Sequence, residues 1–240
     1  MNGEPYYFTL GVPDFERGKA FYAALFDWVI TDEGHIADLA LSGGIAPAEN
    51  GLGPRIYLSC ADVAAGIARL RELGGTSGEP VIARSGDYAE CIDDQGSSFC
   101  IGSIHPEMEA EQIAGLDLYP SPSAELGYLT LGAPDVDRAA TFFDGLFGWH
   151  ADDATAGSVD EGARYRHVSN TTLPLGFVDH DLDRRLALYF KVADVAARAG
   201  DVERLGGEVD AVVESESGAS ASCRDDQGTS FSLWQPAAGY

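Results

Sequence analysis

Lysine is nearly absent from this chain. Lys19 and Lys191 are its two lysines, and the 15 basic residues are outnumbered by 39 acidic ones. The formal net charge is −24, and no basic stripe interrupts the acidic sequence. Such a chain repels phosphate backbones and anionic lipid, so we expect no nucleic-acid partner and no membrane partner.

Cysteine and long apolar runs are also scarce. The 4 cysteines form no CxxC pair, so no zinc knuckle is predicted. No hydrophobic run reaches the length that crosses a bilayer, and Met1–Pro5 does not begin like a secretory signal. We therefore expect a cytoplasmic protein with reduced thiols.

An internal duplication is the main positive feature of the sequence. The segment Tyr7–Trp28 returns as Tyr128–Trp149, and Ala61–Phe99 returns as Ala193–Phe231. Self-similarity over this length indicates two copies of one folding unit, each long enough to bury a core. We refer to them as the first copy and the second copy.

The two copies predict two domains joined by a linker. We expect a first domain over 1–104, a linker over 105–124 and a second domain over 125–240. Within the linker, the prolines and serines of Tyr119–Ser123 are typical of connecting segments.

Each copy predicts a strand, a helix and further strands, repeated twice. Tyr6–Val12 alternates and is rich in β-formers, and Asp14 follows as a helix N-cap. Asp62 is the N-cap of a second helix, which ends at Gly74–Gly75. The other strands expected in the first copy cover 28–31, 35–41, 43–46, 56–60, 79–83, 88–93 and 98–102.

The order of several short segments resembles the vicinal-oxygen-chelate superfamily, which includes glyoxalases, bleomycin-resistance proteins and extradiol dioxygenases. In the first copy the matching segments are Leu10–Asp14, Leu25–Trp28, Leu73–Gly75 and Asp93–Gly96. In the second copy they are Pro134–Asp135, Leu146–Trp149, Leu205–Gly207 and Asp225–Gly228. This double series is most similar to the two-domain glyoxalase-like proteins of actinobacteria.

The resemblance implies an α+β fold of four βαβββ modules, arranged as two tandem glyoxalase/bleomycin-resistance-like domains with cupped mixed sheets. Helices cover the outside of such a sheet, and the cup faces a ligand. With Phe8, Leu10 and Val12 under the helix, alternation turns Tyr7 toward the cup. The halves are expected to pack as a pseudo-dimer within one chain, which is then a monomer or a homodimer.

The same alternation predicts the ligand-binding residues of both cups. In the first copy we expect Tyr7, Arg55, Tyr57 and Cys100. In the second copy we expect Tyr128, Tyr189, Lys191, Ser232 and Trp234. Aromatic walls with a few polar anchors suit a flat, partly apolar ligand. The small residues Ala187 and Ser232 favour the second cup as the open one.

The resemblance also implies where a metal would bind. Metal-dependent relatives have His, Gln or Glu at positions that correspond here to Tyr7, Arg55 and Cys100 in the first copy, and to Tyr128, Ala187 and Ser232 in the second. A divalent cation prefers imidazole and carboxylate, whereas a neutral phenol ligates poorly and a guanidinium repels it. We therefore expect no metal and no cofactor.

Other groups of polar residues carry weaker predictions. His150 with Asp152–Asp153, and the segment Asp179–Asp183, place carboxylates beside histidine. In an acidic chain such clusters are typical of solvated loops, and ion binding there stays open. Asp93–Gly96 and Asp225–Gly228 predict turns rather than calcium loops.

Three functions are compatible with these residues. The first is a metal-independent binding protein that sequesters or presents an aromatic natural product or drug, in antibiotic resistance or biosynthesis. The acidic surface favours a partly cationic ligand. The second is a metal-free cyclase, isomerase or lyase, with a tyrosine, Arg55 or Lys191 as proton or hydrogen-bond donor. The third is a divergent metal-dependent lyase or dioxygenase.

Overall fold

The computed structural model describes residues 3–48, 53–83, 86–103, 123–153, 155–156, 164–179 and 186–239. Four helices and seventeen strands are found in these residues. The predicted linker over 105–124 falls almost entirely outside the described residues, as does most of Asp179–Asp183.

The first copy contains two helices, α1 (Phe15–Phe26) and α2 (Val63–Glu72). Its strands are β1 (Pro5–Val12), β2 (His35–Ile36), β3 (Ser42–Pro47), β4 (Gly53–Ser59), β5 (Thr76–Ser77), β6 (Val81–Ala83), β7 (Gly86–Ile92) and β8 (Ser98–Gly102).

The second copy repeats this order with α3 (Val136–Phe147) and α4 (Val195–Arg204). Its strands are β9 (Glu125–Ala133), β10 (Thr155–Ala156), β11 (Arg164–Val168), β12 (Leu175–Asp179), β13 (Leu186–Lys191), β14 (Glu208–Val209), β15 (Val213–Ser215), β16 (Gly218–Arg224) and β17 (Ser230–Pro236).

The strands form two mixed sheets, one from each copy. The first has the order β2-β3-β1-β4-β8-β7-β5, with β6 paired to β7. The second has the order β10-β11-β12-β9-β13-β17-β16-β14, with β15 paired to β16. In both sheets a parallel pair, β4 with β8 or β13 with β17, adjoins an antiparallel hairpin. The predicted α+β class of tandem βαβββ modules is therefore confirmed.

Helix starts follow the predicted chemistry. The Asp14 side chain accepts a hydrogen bond from the Arg17 amide, and Asp62 accepts one from the Ala65 amide. Asp135 caps α3 in the same way. Such caps satisfy amide groups that have no partner within the first turn of a helix.

Some predicted strands are shorter in the structure or missing. Residues 28–31 contribute only an isolated bridge between Ile30 and Ile36, and the strand expected over 35–41 is limited to His35–Ile36. Asp38 adopts a left-handed backbone with φ of 57°, which ends regular pairing in this segment. The two-residue strand Thr76–Ser77 was not predicted.

The described residues form two compact units. The first unit contains the described residues within Met1–Tyr7, Arg55–Ala114 and Leu129–Leu186. The second unit contains those within Phe8–Pro54, Gly115–Tyr128 and Ala187–Tyr240. Each unit thus combines segments of both copies. Because residues 104–122 lie outside the described residues, the predicted domain boundaries at 104 and 125 stay a prediction.

Aromatic side chains fill the core of each unit. In the first unit, the Phe143 ring stacks on Trp149 at 5.1 Å and contacts Phe99 and Phe177. The rings at the core of the second unit are those of Phe8, Tyr22, Phe26, Trp28, Phe190 and Phe231. Burial of such rings supplies much of the apolar area removed from water on folding.

The turns Asp93–Gly96 and Asp225–Gly228, which we call the Asp-Asp-Gln turns, each contact the start of a helix. In the first unit, the Asp93 carboxylate accepts hydrogen bonds from the amides of Gln95 and Ser97, at 2.8 and 2.7 Å. The Arg138 guanidinium of α3 pairs with Asp94 at 2.5 Å. The turn therefore holds the start of α3 as well as its own backbone.

The turn of the second unit repeats this arrangement. Arg17 of α1 pairs with Asp226 at 2.5 Å, and the Gln227 side chain exchanges hydrogen bonds with the backbone of Asp14. One difference separates the turns: the buried Tyr22 hydroxyl donates to Asp225 at 3.2 Å, whereas Phe143, its equivalent, has no hydroxyl.

The four described helices have 10 or 12 residues each. None of them is both long and apolar enough to cross a bilayer.

Candidate functional site

The face of the first sheet that points away from the helices carries a group of tyrosines. The Tyr57 ring lies 5.6 Å from Tyr7, 6.2 Å from Tyr6 and 5.5 Å from Tyr88, each in edge-to-face contact. We call these four residues the tyrosine cluster. All four are at least partly buried, and all belong to the first unit.

Strand pairing places Cys100 beside the tyrosine cluster. Tyr57 of β4 is opposite Cys100 of β8, and Glu90 of β7 is opposite Cys100 on its other side. Glu90 pairs with Arg55 at 3.3 Å. The four residues predicted for the first copy, Tyr7, Arg55, Tyr57 and Cys100, thus lie on one face of one sheet.

Burial raises the pKa of three residues of the tyrosine cluster and of the neighbouring Cys100 thiol. Desolvation raises the pKa of Tyr7 to about 12, and it also raises the pKa of Tyr6 and of Tyr88. The pKa of the Cys100 thiol rises to about 12, mainly through burial and secondarily through Glu90. At neutral pH these groups can donate hydrogen bonds, but they are neither bases nor anionic metal ligands.

The second sheet carries a smaller aromatic group on the corresponding face. The Tyr128 ring lies 5.7 Å from Tyr189 and 6.2 Å from Trp234. We call these three half-buried residues the tryptophan cluster; all belong to the second unit. The Trp234 indole N–H donates to the Ser217 carbonyl at 3.2 Å, which fixes the orientation of the ring.

Strand register orders the polar residues around the tryptophan cluster in two rows. Tyr189 is opposite Ser232, which is opposite Ser222. Lys191 is opposite Trp234, which is opposite Ser220. All five residues predicted for the second copy therefore lie on this face, together with two serines that the prediction did not name. Ser232 is buried and Lys191 is exposed.

The tyrosine cluster includes Tyr6, which strict alternation places on the opposite side of β1. Its hydroxyl lies over Gly102, where an added Cβ would be only 2.3 Å away. In the second copy the equivalent pair is Gly127 and Trp234, and a Cβ at Gly127 would lie 3.2 Å from the indole. The large residue is thus on the first strand in the first copy (Tyr6) and on the last strand in the second copy (Trp234), and glycine is at the other position in each.

Sequence reasoning missed Tyr6 and Tyr88 in the first copy, and Ser220 and Ser222 in the second. Tyr88 and Glu90 occupy positions on β7 that correspond to Ser220 and Ser222 on β16. The alternation of Ala89 and Cys91, which are buried, is the signal that could have assigned Tyr88 to this face.

The metal site implied by the resemblance does not fit these residues. Tyr7, Arg55 and Cys100 present a protonated phenol, a guanidinium and a protonated thiol. Tyr128, Ala187 and Ser232 offer no imidazole and no carboxylate. Throughout the described ranges, no group of three or more His, Cys, Asp or Glu side chains is placed to hold an ion. Divalent metals need such groups.

Of the predicted loop clusters, the structure describes the one at His150. The His150 amide donates to the Asn170 side chain at 2.8 Å, and the Asp152 carbonyl accepts from Arg166 at 2.7 Å. These contacts hold the loop through backbone atoms. Residues 180–183 lie outside the described residues, so ion binding there stays open.

Comparison with known families identifies part of the chain. Residues 128–234 match the model of a glyoxalase-like domain. This match contains the whole tryptophan cluster. No curated protein matches the chain.

The fold of the full chain is similar to solved dioxygenase structures. The 2,3-dioxygenase LapB from Pseudomonas sp. KL28 has a TM-score of 0.63 and 14% identity, over 100% of this chain and 96% of its own. A variant of homoprotocatechuate 2,3-dioxygenase from B. fuscum has a TM-score of 0.66 and 14% identity, over 98% and 72%.

A third similar structure is a mutant of 4-hydroxymandelate synthase from Streptomyces coelicolor. Its TM-score is 0.59 and its identity 12%, over 100% of this chain and 94% of its own. Identities this low establish a shared fold alone. The full chain therefore has the fold of these enzymes, and residues 128–234 are similar to a glyoxalase-like domain, as the resemblance to the vicinal-oxygen-chelate superfamily implies.

Proposed function

We propose that this protein binds a flat aromatic small molecule on the tryptophan cluster without using a metal ion. One observation carries the proposal: the Tyr128 ring, at one of the positions where metal-dependent relatives have a metal ligand, contacts the rings of Tyr189 and Trp234. Recognition at this face then depends on aromatic rings and hydroxyl groups.

The chemistry of the cluster suits such a ligand. Each ring contact contributes about 1 kcal/mol beyond the burial of apolar area. Ser232, Ser222 and Ser220 follow one another along the same face and can donate or accept hydrogen bonds. Apolar walls with a few polar groups are the usual composition of small-molecule sites.

The second copy offers more space for a ligand than the first. Gly127, Ala187, Ser220 and Ser222 are equivalent to Tyr6, Arg55, Tyr88 and Glu90, respectively. In the first copy these larger side chains contact one another, as in the Arg55–Glu90 ion pair. On this face, Gly102 and Ser59 are smaller than their equivalents in the second copy, Trp234 and Lys191. We assign binding to the second copy.

A binding protein of this kind sequesters or presents its ligand. The corresponding roles are resistance to an aromatic natural product or drug, and an accessory step in its biosynthesis. In both roles the ligand is released chemically unchanged.

Intrinsic fluorescence tests the proposal directly, because Trp234 differs from the other two tryptophans. Trp28 and Trp149 are 3% and 2% exposed in the cores, whereas Trp234 is half-buried in the cluster. Titration with polycyclic aromatic compounds should change the emission of the wild type. The Trp234→Phe variant should lose this response.

Exchange of one equivalent residue between the copies supplies a matched pair of variants. Ser220→Tyr places a tyrosine beside Trp234, as the first copy has at the equivalent position, Tyr88. It should weaken binding at least tenfold by filling the site. Tyr88→Ser, the reverse change, should leave the affinity unchanged. Equal affinity in both variants, or a response that survives Trp234→Phe, contradicts the proposal.

The similarity to dioxygenase structures supports a second candidate, a divergent dioxygenase or lyase. Such an enzyme requires metal ligands other than the six inherited positions. Elemental analysis of the purified protein, with an assay for ring cleavage of catechols, distinguishes the candidates. Stoichiometric iron or manganese with turnover favours the enzyme, and ligand binding without either favours the binding protein.

A further inference from the structure

Lys191 is the cationic residue that strand register places directly beside Trp234. It is opposite Trp234 in the parallel pair of β13 and β17, on the same face as Tyr189. A Cβ at Gly127 would lie 3.2 Å from both Lys191 and the indole. Within the described part of the chain, no carboxylate forms an ion pair with its exposed ammonium group.

The surroundings of Lys191 are exceptional in so acidic a chain. The strands β13, β16 and β17 have the sequences LALYFK, GASASCR and SFSLWQP, without a single aspartate or glutamate. The chain as a whole has 39. The other cation on these strands, Arg224, is paired with Glu208 at 3.6 Å. These three strands thus place one cation, Lys191, beside Trp234 and carry no carboxylate, while the adjoining strand β9 begins with Glu125.

On the corresponding face of the first copy, the charged side chains Arg55 and Glu90 pair with each other. Lys191 is equivalent to Ser59, whose hydroxyl accepts a hydrogen bond from the Glu4 amide at 3.0 Å. Ser222 is equivalent to Glu90, which pairs with Arg55. The second copy has Ser222 in place of the carboxylate, and among the described residues no carboxylate pairs with the Lys191 ammonium group.

We propose, on the basis of the binding function above, that the aromatic ligand carries an anionic group, a carboxylate or a phenolate. The Lys191 ammonium donates to this anion, the serine hydroxyls complete its hydrogen bonds, and the ring stacks on Trp234. Hydrogen bonds between charged groups are about twice as strong as neutral ones. The repulsion from the remaining acidic surface is screened beyond about 8 Å at physiological salt.

Three probes of one shape and different charge test this inference. They are 2-naphthoate, 2-naphthalenemethanol and 2-naphthylmethylammonium, each titrated at pH 7 against the emission of Trp234. We expect 2-naphthoate to bind roughly tenfold more tightly than the alcohol. We expect the ammonium probe to bind more weakly than the alcohol.

Two lysine variants assign the preference to one residue. Lys191→Met should bring the affinities for naphthoate and the alcohol to within about twofold, chiefly by weakening the binding of naphthoate. Lys191→Arg should restore the preference. Lys19→Met is the matched control, because Lys19 pairs with Glu16 at 2.9 Å on α1 and should not affect binding. Unchanged thermal unfolding shows that each variant is folded.

The outcomes separate this inference from the proposed function. If the ammonium probe binds most tightly, or if all three probes bind equally, the anionic ligand is excluded but aromatic binding stands. Tightest binding of the ammonium probe would support the partly cationic ligand expected from the net charge. A preference that survives Lys191→Met also overturns the inference. If none of the probes and no larger polycycle changes the emission, the binding function itself fails.

Discussion

The Gln95 side chain and the Asp135 backbone exchange two hydrogen bonds, each 3.0 Å long. The amide N–H of Asp135 donates to Gln95, and the Gln95 amide group donates to the Asp135 carbonyl. Asp135 is the N-cap of α3, so the turn of the first copy fixes the start of a helix of the second copy. Gln227 does the same for Asp14 and α1.

Loss of this exchange should destabilise the fold. Gln95→Ala removes both hydrogen bonds, and we expect the free energy of unfolding to fall by about 1 kcal/mol. Gln227→Ala should have an effect of similar size in the second unit. Denaturant unfolding measures both, with Ser98→Ala as a control at an exposed neighbouring site. Wild-type stability in both glutamine variants contradicts this account of the turns.

The Tyr22 hydroxyl should stabilise the protein in a pH-dependent way. It donates to the buried Asp225 carboxylate at 3.2 Å, and burial raises the pKa of Asp225 while this bond lowers it. Tyr22→Phe leaves the carboxylate with one partner fewer. We expect a loss of about 1–3 kcal/mol at pH 7, measured by chemical unfolding.

The sign of the pH effect follows from the raised pKa. A carboxyl whose folded pKa exceeds its unfolded value contributes stability below about pH 3.9, and this contribution is lost as pH rises through the folded pKa. Tyr22→Phe raises the folded pKa further, so its cost should be small at pH 4 and larger at pH 7. In an Asp225→Asn background the cost should no longer depend on pH; a cost equal at pH 4 and 7 in the wild-type background contradicts the mechanism.

Asp93 tests the balance between desolvation and hydrogen bonding. Its pKa is raised by burial and lowered by the amides of Ser97 and Gln95. Asp93→Asn keeps an acceptor oxygen for both amides and removes the buried charge, so at pH 7 it should be at least as stable as the wild type. Asp93→Ala removes the acceptor and should lose about 2 kcal/mol. Equal destabilisation by both changes would mean that the charge itself is needed.

The thiols should be inert in the folded protein. All of the cysteines are free and buried, and burial raises the pKa of Cys91, Cys100 and Cys223 to about 12. Because the thiolate is the reactive form, iodoacetamide at pH 8 should label none of them until the protein is unfolded. Mass spectrometry counts the adducts. Rapid labelling of Cys100 in the native state contradicts the raised pKa.

The sequence predicts this fold well because its signals are local and occur twice. Asp14 and Asp62 cap helices through their own side chains, and Ser98–Gly102 forms a strand with the predicted bounds. The segment 28–41 was predicted less well. There the left-handed backbone at Asp38 interrupts residues that otherwise favour a strand.

The candidate site was predicted in part, because alternation assigns a side chain to a face but does not say how far it reaches. Tyr7 and Tyr57 follow the alternation. Tyr6 departs from it, since Gly102 leaves space for its hydroxyl on β8, two strands away in the sheet. The lack of an ion pair between Lys191 and any described carboxylate depends on which strands flank β13, and the strand order is known only from the folded chain.

The Asp-Asp-Gln turns have a consequence for how this duplicated gene product can diverge. Gln95 lies in the first copy but binds the helix cap of the second, and Asp225 lies in the second copy but receives the hydroxyl of Tyr22 in the first. A substitution on either side of such a pair changes the selection on its partner in the other repeat. The two repeats must therefore evolve as a linked pair, and replacing one with a homologous repeat should carry a penalty that depends on the repeat retained.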